Sequence, residues 1–185
     1  MTASASNKVS RTRVESLLKR RTMKILGYCF LLLLTFSAGL VLVGQLGFFT
    51  GKAPDTLGVV DGRLSPPSAT PNSVSSQATL YPEHPQKDYA SIAPFTYLGD
   101  GDAAMEKLAG LLQKTERTSV ITRGPEYIYA QSHTALLNFT DDLEFWLDRP
   151  NQVIQIRSAS RLGHGDLGTN RARMESIRTR FLLNP

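Results

Sequence analysis

Residues 25–49 contain no charged side chain, and only Thr35, Ser37 and Gln45 in that run are appreciably polar. At about 1.5 Å of rise per residue, such a run makes a helix of roughly 37 Å, longer than a hydrocarbon core of about 30 Å. Core helices of soluble proteins rarely extend this far without a polar face. The basic flank also fits a cleaved secretory signal, but signal cores run to about 7–15 residues and end at a small-x-small site. Here the run continues through Leu46-Gly47-Phe48-Phe49, and no Ala-x-Ala follows. The expectation is a transmembrane anchor at 25–49. Tyr28 before Cys29 does not suit a lipoprotein cleavage site, and Arg20-Arg21 belongs to the positive flank rather than to a twin-arginine signal.

The chain has 185 residues, a formal charge of +5 and a pI near 9.5. Residues 1–24 hold seven basic side chains against Glu15 alone, so the other 161 residues carry 14 basic and 15 acidic groups. A nucleic-acid-binding domain needs its excess positive charge on the folded surface; here it sits in the tail, and no nucleic-acid partner is expected. Basic residues are retained on the cytoplasmic side. The sequence thus predicts a cytoplasmic tail (1–24), an anchor in the inner (plasma) membrane, a linker (50–59) and an exported domain (60–185) in a periplasmic or extracytoplasmic space. Cys29, the single cysteine, falls within the anchor, so the domain has no disulfide or thiolate site. His84, His133 and His164 lack ligand spacing, and no metal or cofactor is expected.

Within the domain, prolines 66, 67 and 71 exclude regular helix or central strand, although Val74–Ala78 suits an extended segment. Asp100-Gly101-Asp102 offers an N-cap, and Met105, Leu108, Leu111 and Leu112 follow at helical spacing. Strand character then marks 119–123, 126–134, 142–148 and 152–158. Asp142–Asp148 alternates, with Leu143, Phe145 and Leu147 expected inward and Asp142, Glu144, Trp146 and Asp148 on a solvated face. A last helix begins at Thr169 or Asn170, either of which suits a cap, with Met174, Ile177 and Phe181 as its apolar stripe. The fold class is α+β: an N-terminal transmembrane helix, then one domain with an antiparallel sheet of about four strands and two packing helices.

The chemistry-bearing residues concentrate in 157–171, where a strand passes through glycines 163, 165 and 168 into a helix start. Unpaired N–H groups at a helix start and the guanidinium groups of Arg157, Arg161 and Arg171 suit an anion. Ser158, Ser160, Asp166, Asn170, Asn72, Ser75 and Ser76 complete the candidate ligand set. No nucleotide motif is present. The competing reading is structural: Asp166 holds the loop, and the arginines pair with Asp141, Asp142, Glu144 and Asp148, four acids in an eight-residue window with no base. Arg157, on the strand, suits pairing; Arg161, at the loop, suits a ligand. No catalytic residue is assigned, because Ser158 or Ser160 with His164 and Asp166 in one loop has neither an elbow motif nor separate segments to build triad geometry.

Asp61-Gly62-Arg63-Leu64, Pro71-Asn72-Ser73-Val74-Ser75-Ser76-Gln77-Ala78, Ile92-Ala93-Pro94-Phe95, Phe139-Thr140-Asp141-Asp142-Leu143-Glu144-Phe145 and Arg157-Ser158-Ala159-Ser160-Arg161 through Arg173 resemble, in order, the domain-of-unknown-function 1499 family over about residues 60–182. The resemblance implies an uncharacterised, often exported or membrane-tethered protein without established activity, and makes the Pro/Ser stretch part of the domain. It also implies cysteines in many relatives where Ser73 and Pro67 stand here, so no family disulfide is carried over. The leading expectation is a membrane-anchored, non-catalytic binding or assembly module for a small anion, a lipid headgroup or an envelope protein partner. The alternative is a hydrolase-like envelope enzyme acting on an anionic substrate at the arginine loop.

Overall fold

The computed structural model describes residues 3–183, with side chains from 18 onward; the ends of the expected tail (1–2) and domain (184–185) lie outside the described residues. The chain forms two compact units, residues 1–43 and 44–185. The first holds all of helix α1 (Ala3–Gln45) but its last two residues, Gly44 and Gln45, which belong to the second. Within the helix's stretch Leu18–Gln45 an 18-residue window reaches a mean hydropathy of 2.3, so the stretch could span a membrane by length and composition. Leu31, Phe36 and Leu42 are all more than half exposed, and from residue 25 to its end the helix carries no charge on any side. It ends four residues before the uncharged run does. Gly47, at φ 87°, lies in the turn that ends the helix, and its N–H donates to the Gly44 carbonyl at 2.9 Å.

The second unit is an antiparallel α+β domain. Its strands are β1 (Ser73–Ser75), β2 (Phe95–Thr96), β3 (Thr118–Arg123), β4 (Tyr127–His133), β5 (Thr140–Asp148) and β6 (Val153–Ser160). The order across the sheet is β1-β6-β5-β4-β3, and β2 shares the β1 side of β6. β1 pairs with 157–159 and β2 with 153–154, so two short segments in tandem complete one edge. These two account for the excess over the four strands expected. A 3-10 turn (Ala78–Leu80) and a single helical turn α2 (Lys87–Ala90) join them.

Helices α3 (Gly101–Gln113) and α4 (Thr169–Leu183) lie on one face of the sheet. Asp100 caps α3 by accepting from the Asp102 N–H at 3.0 Å, as its sequence position suggests. Met105, Leu108 and Leu112 of α3 and Met174, Ile177 and Phe181 of α4 meet Leu143, Phe145, Leu147, Ile154 and Ile156 in one core. Phe95, on β2, is fully buried between Phe145 and Phe181, with ring centroids 6.0 and 5.8 Å away. The short edge strand therefore carries a central core residue.

The opposite face is not solvated. Asp142 and Glu144 are 0 % exposed and Asp148 5 %, which corrects the expectation of outward-facing acids. The cover is residues 50–66, including 50–59, the stretch expected to be a linker. The Gly58 N–H donates to Glu144 Oε1 at 2.8 Å, and the Thr50, Gly51 and Pro66 carbonyls accept from arginines on this face. Leu64 is buried beside Gln77, whose side chain accepts from the Leu64 N–H at 2.8 Å and donates to the Gly62 carbonyl at 3.0 Å. We call this segment the strap. It has no periodic pattern because its backbone, not a repeated set of side chains, makes its contacts.

Candidate functional site

The Arg-Ser-Ala-Ser-Arg element at 157–161 runs off the end of β6, and alternation sends its members to opposite faces of the sheet. Arg157 and Arg161 point to the strap; Ser158 and Ser160 point to α4. Neighbouring β5 is sorted in the same way, so Asp141 faces α4 while Asp142 and Glu144 face the strap.

On the strap face, the Arg157 guanidinium donates to Glu144 Oε2 at 3.0 Å and to the Pro66 carbonyl at 3.3 Å. The other Glu144 oxygen accepts from Tyr127 Oη and the Gly58 N–H, both at 2.8 Å. Arg161 grips Asp142 through Nε, 3.1 and 2.9 Å from its two oxygens, and through Nη2, at 2.7 Å. Arg161 Nη2 also donates to Tyr129 Oη at 3.1 Å, and Nη1 donates to the Thr50 and Gly51 carbonyls. Tyr129 Oη in turn donates to Asp142 Oδ1 at 2.6 Å. Both ion pairs are buried: the side chains of Arg157 and Glu144 are 8 and 0 % exposed, and those of Arg161 and Asp142 are 7 and 1 %. Burial, and then the adjacent Glu144 carboxylate, pushes the Tyr127 phenol far above its ordinary range. Burial and the Asp142 hydrogen bond raise Tyr129 likewise. The Asp142 bond holds the Arg161 guanidinium protonated against the cost of burial.

On the helix face, the hub is Asn170, 0 % exposed in the first turn of α4. Its Oδ1 accepts from Ser158 Oγ at 2.5 Å and Arg173 Nη1 at 3.0 Å. Its Nδ2 donates to the Asn72 carbonyl (3.1 Å), Ser160 Oγ (2.9 Å) and Asp166 Oδ2 (2.8 Å). Asn170 is thus not the cap of α4. That task falls to Asp166, whose carboxylate accepts from the Gly168 and Asn170 N–H groups at 3.0 Å each and from Tyr89 Oη. Burial opposes ionisation of Asp166, but the bonds from Tyr89, Asn170 and Gly168 outweigh it and hold its pKa below the ordinary value of 3.8. Arg173 pairs with Asp141, whose side chain is 3 % exposed.

Of the remaining candidates, Arg171 reaches away from the cluster to the Tyr89 and Ser91 carbonyls. Ser75 is fully buried and accepts from the Gln77 N–H; Ser76 bridges Gln155 Oε1 (2.7 Å) and the Ile156 N–H (2.8 Å). Asn72 Nδ2 donates to the Gly163 carbonyl at 2.8 Å, while its buried Oδ1 has no partner among the described residues. The structure therefore brings together Arg157 with Arg161, and Asn72, Ser158, Ser160, Asp166 and Asn170, on two separate faces. Ser73 Oγ accepts from the Ser68 N–H at 2.8 Å, tying β1 to the chain beside Pro67. His164 is exposed, and among the described residues no group of three or more His, Cys, Asp or Glu side chains could hold a metal.

The sequence reading missed Arg173, Tyr89, Tyr127 and Tyr129 as members of these clusters. Arg173 was legible in principle: it lies three residues after Asn170, on the same side of α4. The tyrosines lie on α2 and β4, and nothing local links them to 141–166. A cleft of about 230 Å³ opens beside the helix-face cluster, lined by Thr134, Phe139, Asp141, Ser160, Leu162 and Leu167 among others.

The fold and clusters define an antiparallel α+β domain whose sheet carries arginine–carboxylate pairs on both faces. The chain belongs to the protein family of unknown function DUF1499, whose sequence model matches residues 63–181. No curated protein and no solved structure matches it.

Proposed function

We propose that this is a membrane-tethered, non-catalytic binding or assembly module. It is anchored in the inner (plasma) membrane by α1, with its domain on the extracytoplasmic side. One observation carries the non-catalytic reading: the residues best suited to chemistry already serve one another. Arg157 and Arg161 are bound to buried carboxylates, and both serine hydroxyls at 158 and 160 are bound to Asn170. The helix start that would attract an anion is filled by Asp166, a resident carboxylate. A nucleophile needs a base within hydrogen-bond reach, and His164 stands exposed, outside this network. Recognition then belongs to the outer surface of a rigid frame, and a lipid or protein partner fits such a frame better than a small anion.

The test is a thermal melt of the full chain in detergent, followed by the fluorescence of Trp146, its one tryptophan, with and without phosphate or sulfate. The expected result is the same midpoint in both. An anion-dependent rise that disappears in Arg161→Ala would return the arginine loop to the role of ligand site.

A further inference from the structure

Five exposed large apolar side chains collect at one end of the domain. Leu46 (67 %), Phe48 (73 %), Leu136 (68 %), Leu162 (42 %) and Leu167 (103 %) are all exposed. They come from three segments: the turn after α1, the β4–β5 connection (134–139) and the β6–α4 loop (161–168). Contacts between these segments bring all three to the same end of the domain. Phe49 stacks on Phe139 with ring centroids 5.3 Å apart, Gly51 lies against Leu162, and Phe139, Leu162 and Leu167 line one cleft. Within these three segments the one carboxylate, Asp166, is buried.

Leu167 is the most telling member. Its backbone lies in the left-handed region at φ 52°, which suits Gly or Asn and strains a leucine, and its side chain touches nothing that repays the strain. The fold has no use for a leucine there. The patch also lies where the chain enters the domain. Gln45, the last residue of a helix long and apolar enough to span a membrane, donates through Nε2 to the Ala135 and Leu136 carbonyls at 3.1 and 2.9 Å. Gly44 is packed so closely on Leu137 that any side chain there would collide with its backbone. A patch fixed to the point where the chain leaves the bilayer is within reach of the bilayer surface.

We infer that this end of the domain is a membrane-docking surface: Leu136, Leu162, Leu167 and Phe48 insert at the boundary between headgroups and acyl chains. The inference rests on the tethered reading above and adds a fixed footing, so that the domain stands on the bilayer instead of trailing from a flexible tether.

The experiment uses the full chain with Cys29→Ser, a single Leu167→Cys or Leu98→Cys replacement, and a nitrobenzoxadiazole label. The labelled protein is reconstituted in phosphatidylcholine–phosphatidylglycerol vesicles. Leu98 is a matched control: it is 99 % exposed and follows β2, which pairs with the far end of β6. The expected result is blue-shifted emission at 167, quenched by lipids carrying a nitroxide high on the acyl chain, while the label at 98 is quenched only by aqueous iodide. Iodide quenching at 167, in protein that resists alkaline extraction, overturns the docking surface and leaves the tether intact. Extraction of the protein by alkali overturns both. A blue shift that ignores lipid nitroxide and grows with protein-to-lipid ratio assigns the patch to a second copy of the chain and overturns the lipid assignment.

Discussion

Glu144 and Asp142 each lie out of water with one guanidinium as the neutralising partner, so their charge is tolerable only while Arg157 and Arg161 are present. Removing one partner of such a pair leaves an uncompensated buried charge. Arg157→Ala and Arg161→Ala should each lower unfolding free energy by about 3–5 kcal/mol in denaturant titrations, with no recovery in phosphate. Asn170→Asp places a second carboxylate against Asp166 Oδ2, now 2.8 Å from Nδ2. It should destabilise the domain at neutral pH and recover on mild acidification. The pH dependence has two limbs. Asp166 is held below its ordinary pKa in the fold, so its contribution is present above pH 3.8 and lost as pH falls through the lower folded value. Tyr89, Tyr127 and Tyr129 are raised above 10.0, so their contribution is complete below pH 10.0 and lost as pH climbs beyond it. Melts across pH should show both losses; Asp166→Asn should flatten the acid limb and Tyr127→Phe the alkaline one. The partition of charge between 141–148 and 157–180 was legible in the sequence, and so was Asp166 as holder of the loop. Which arginine meets which acid was not: Arg161 stands at a loop but has the more extensive set of bonds. Alternation assigns a residue to a face, whereas burial depends on what covers that face.

Among the elements, the four long strands and both domain helices follow from local pattern, whereas β1, β2 and the strap do not. β1 and β2 have three and two residues, too few for an alternation to register, and the strap is recognised only through backbone groups. Proline-rich sequence excludes helix without stating whether the chain wanders or lies down. Prolines 66 and 67 belong to a stretch that lies down: the Pro66 carbonyl accepts from Arg157, and Pro67 is buried. Gly51 is where the strap meets Arg161, at φ 63°, and a Cβ there would come within 3.0 Å of Arg161 Cβ. Gly51→Val combines a left-handed backbone with a clash, and should cost about 2–4 kcal/mol. The same variant should change the emission of Trp146, which faces the strap near Gly62. If residues 50–59 were only a linker, the substitution would leave both stability and emission unchanged.

For the molecule as a whole, the tethered reading predicts that alkaline phosphatase fused after Pro185 is active and that a cytoplasmic reporter fused there is silent. The opposite pattern would reverse the orientation. The tandem edge of β6 also bears on how the fold is reached in time. Ser73 pairs with Ala159 and Phe95 with Ile154, so the first strands of the domain find their partners only among residues synthesised some 60–85 positions later. The strap must wait for Arg157 and Arg161, and α4 closes the core last. Long-range pairings of this kind make for slow, late closure. Apart from the anchor helix, a chain that emerges N-terminus first therefore cannot complete its domain until almost all of it is out. Arrested chains ending before residue 153 should remain as protease-sensitive as unfolded polypeptide, with resistance appearing in one step once α4 is free. Such a domain stays threadable until its final helix emerges, and thereafter cannot be drawn back without undoing the whole sheet.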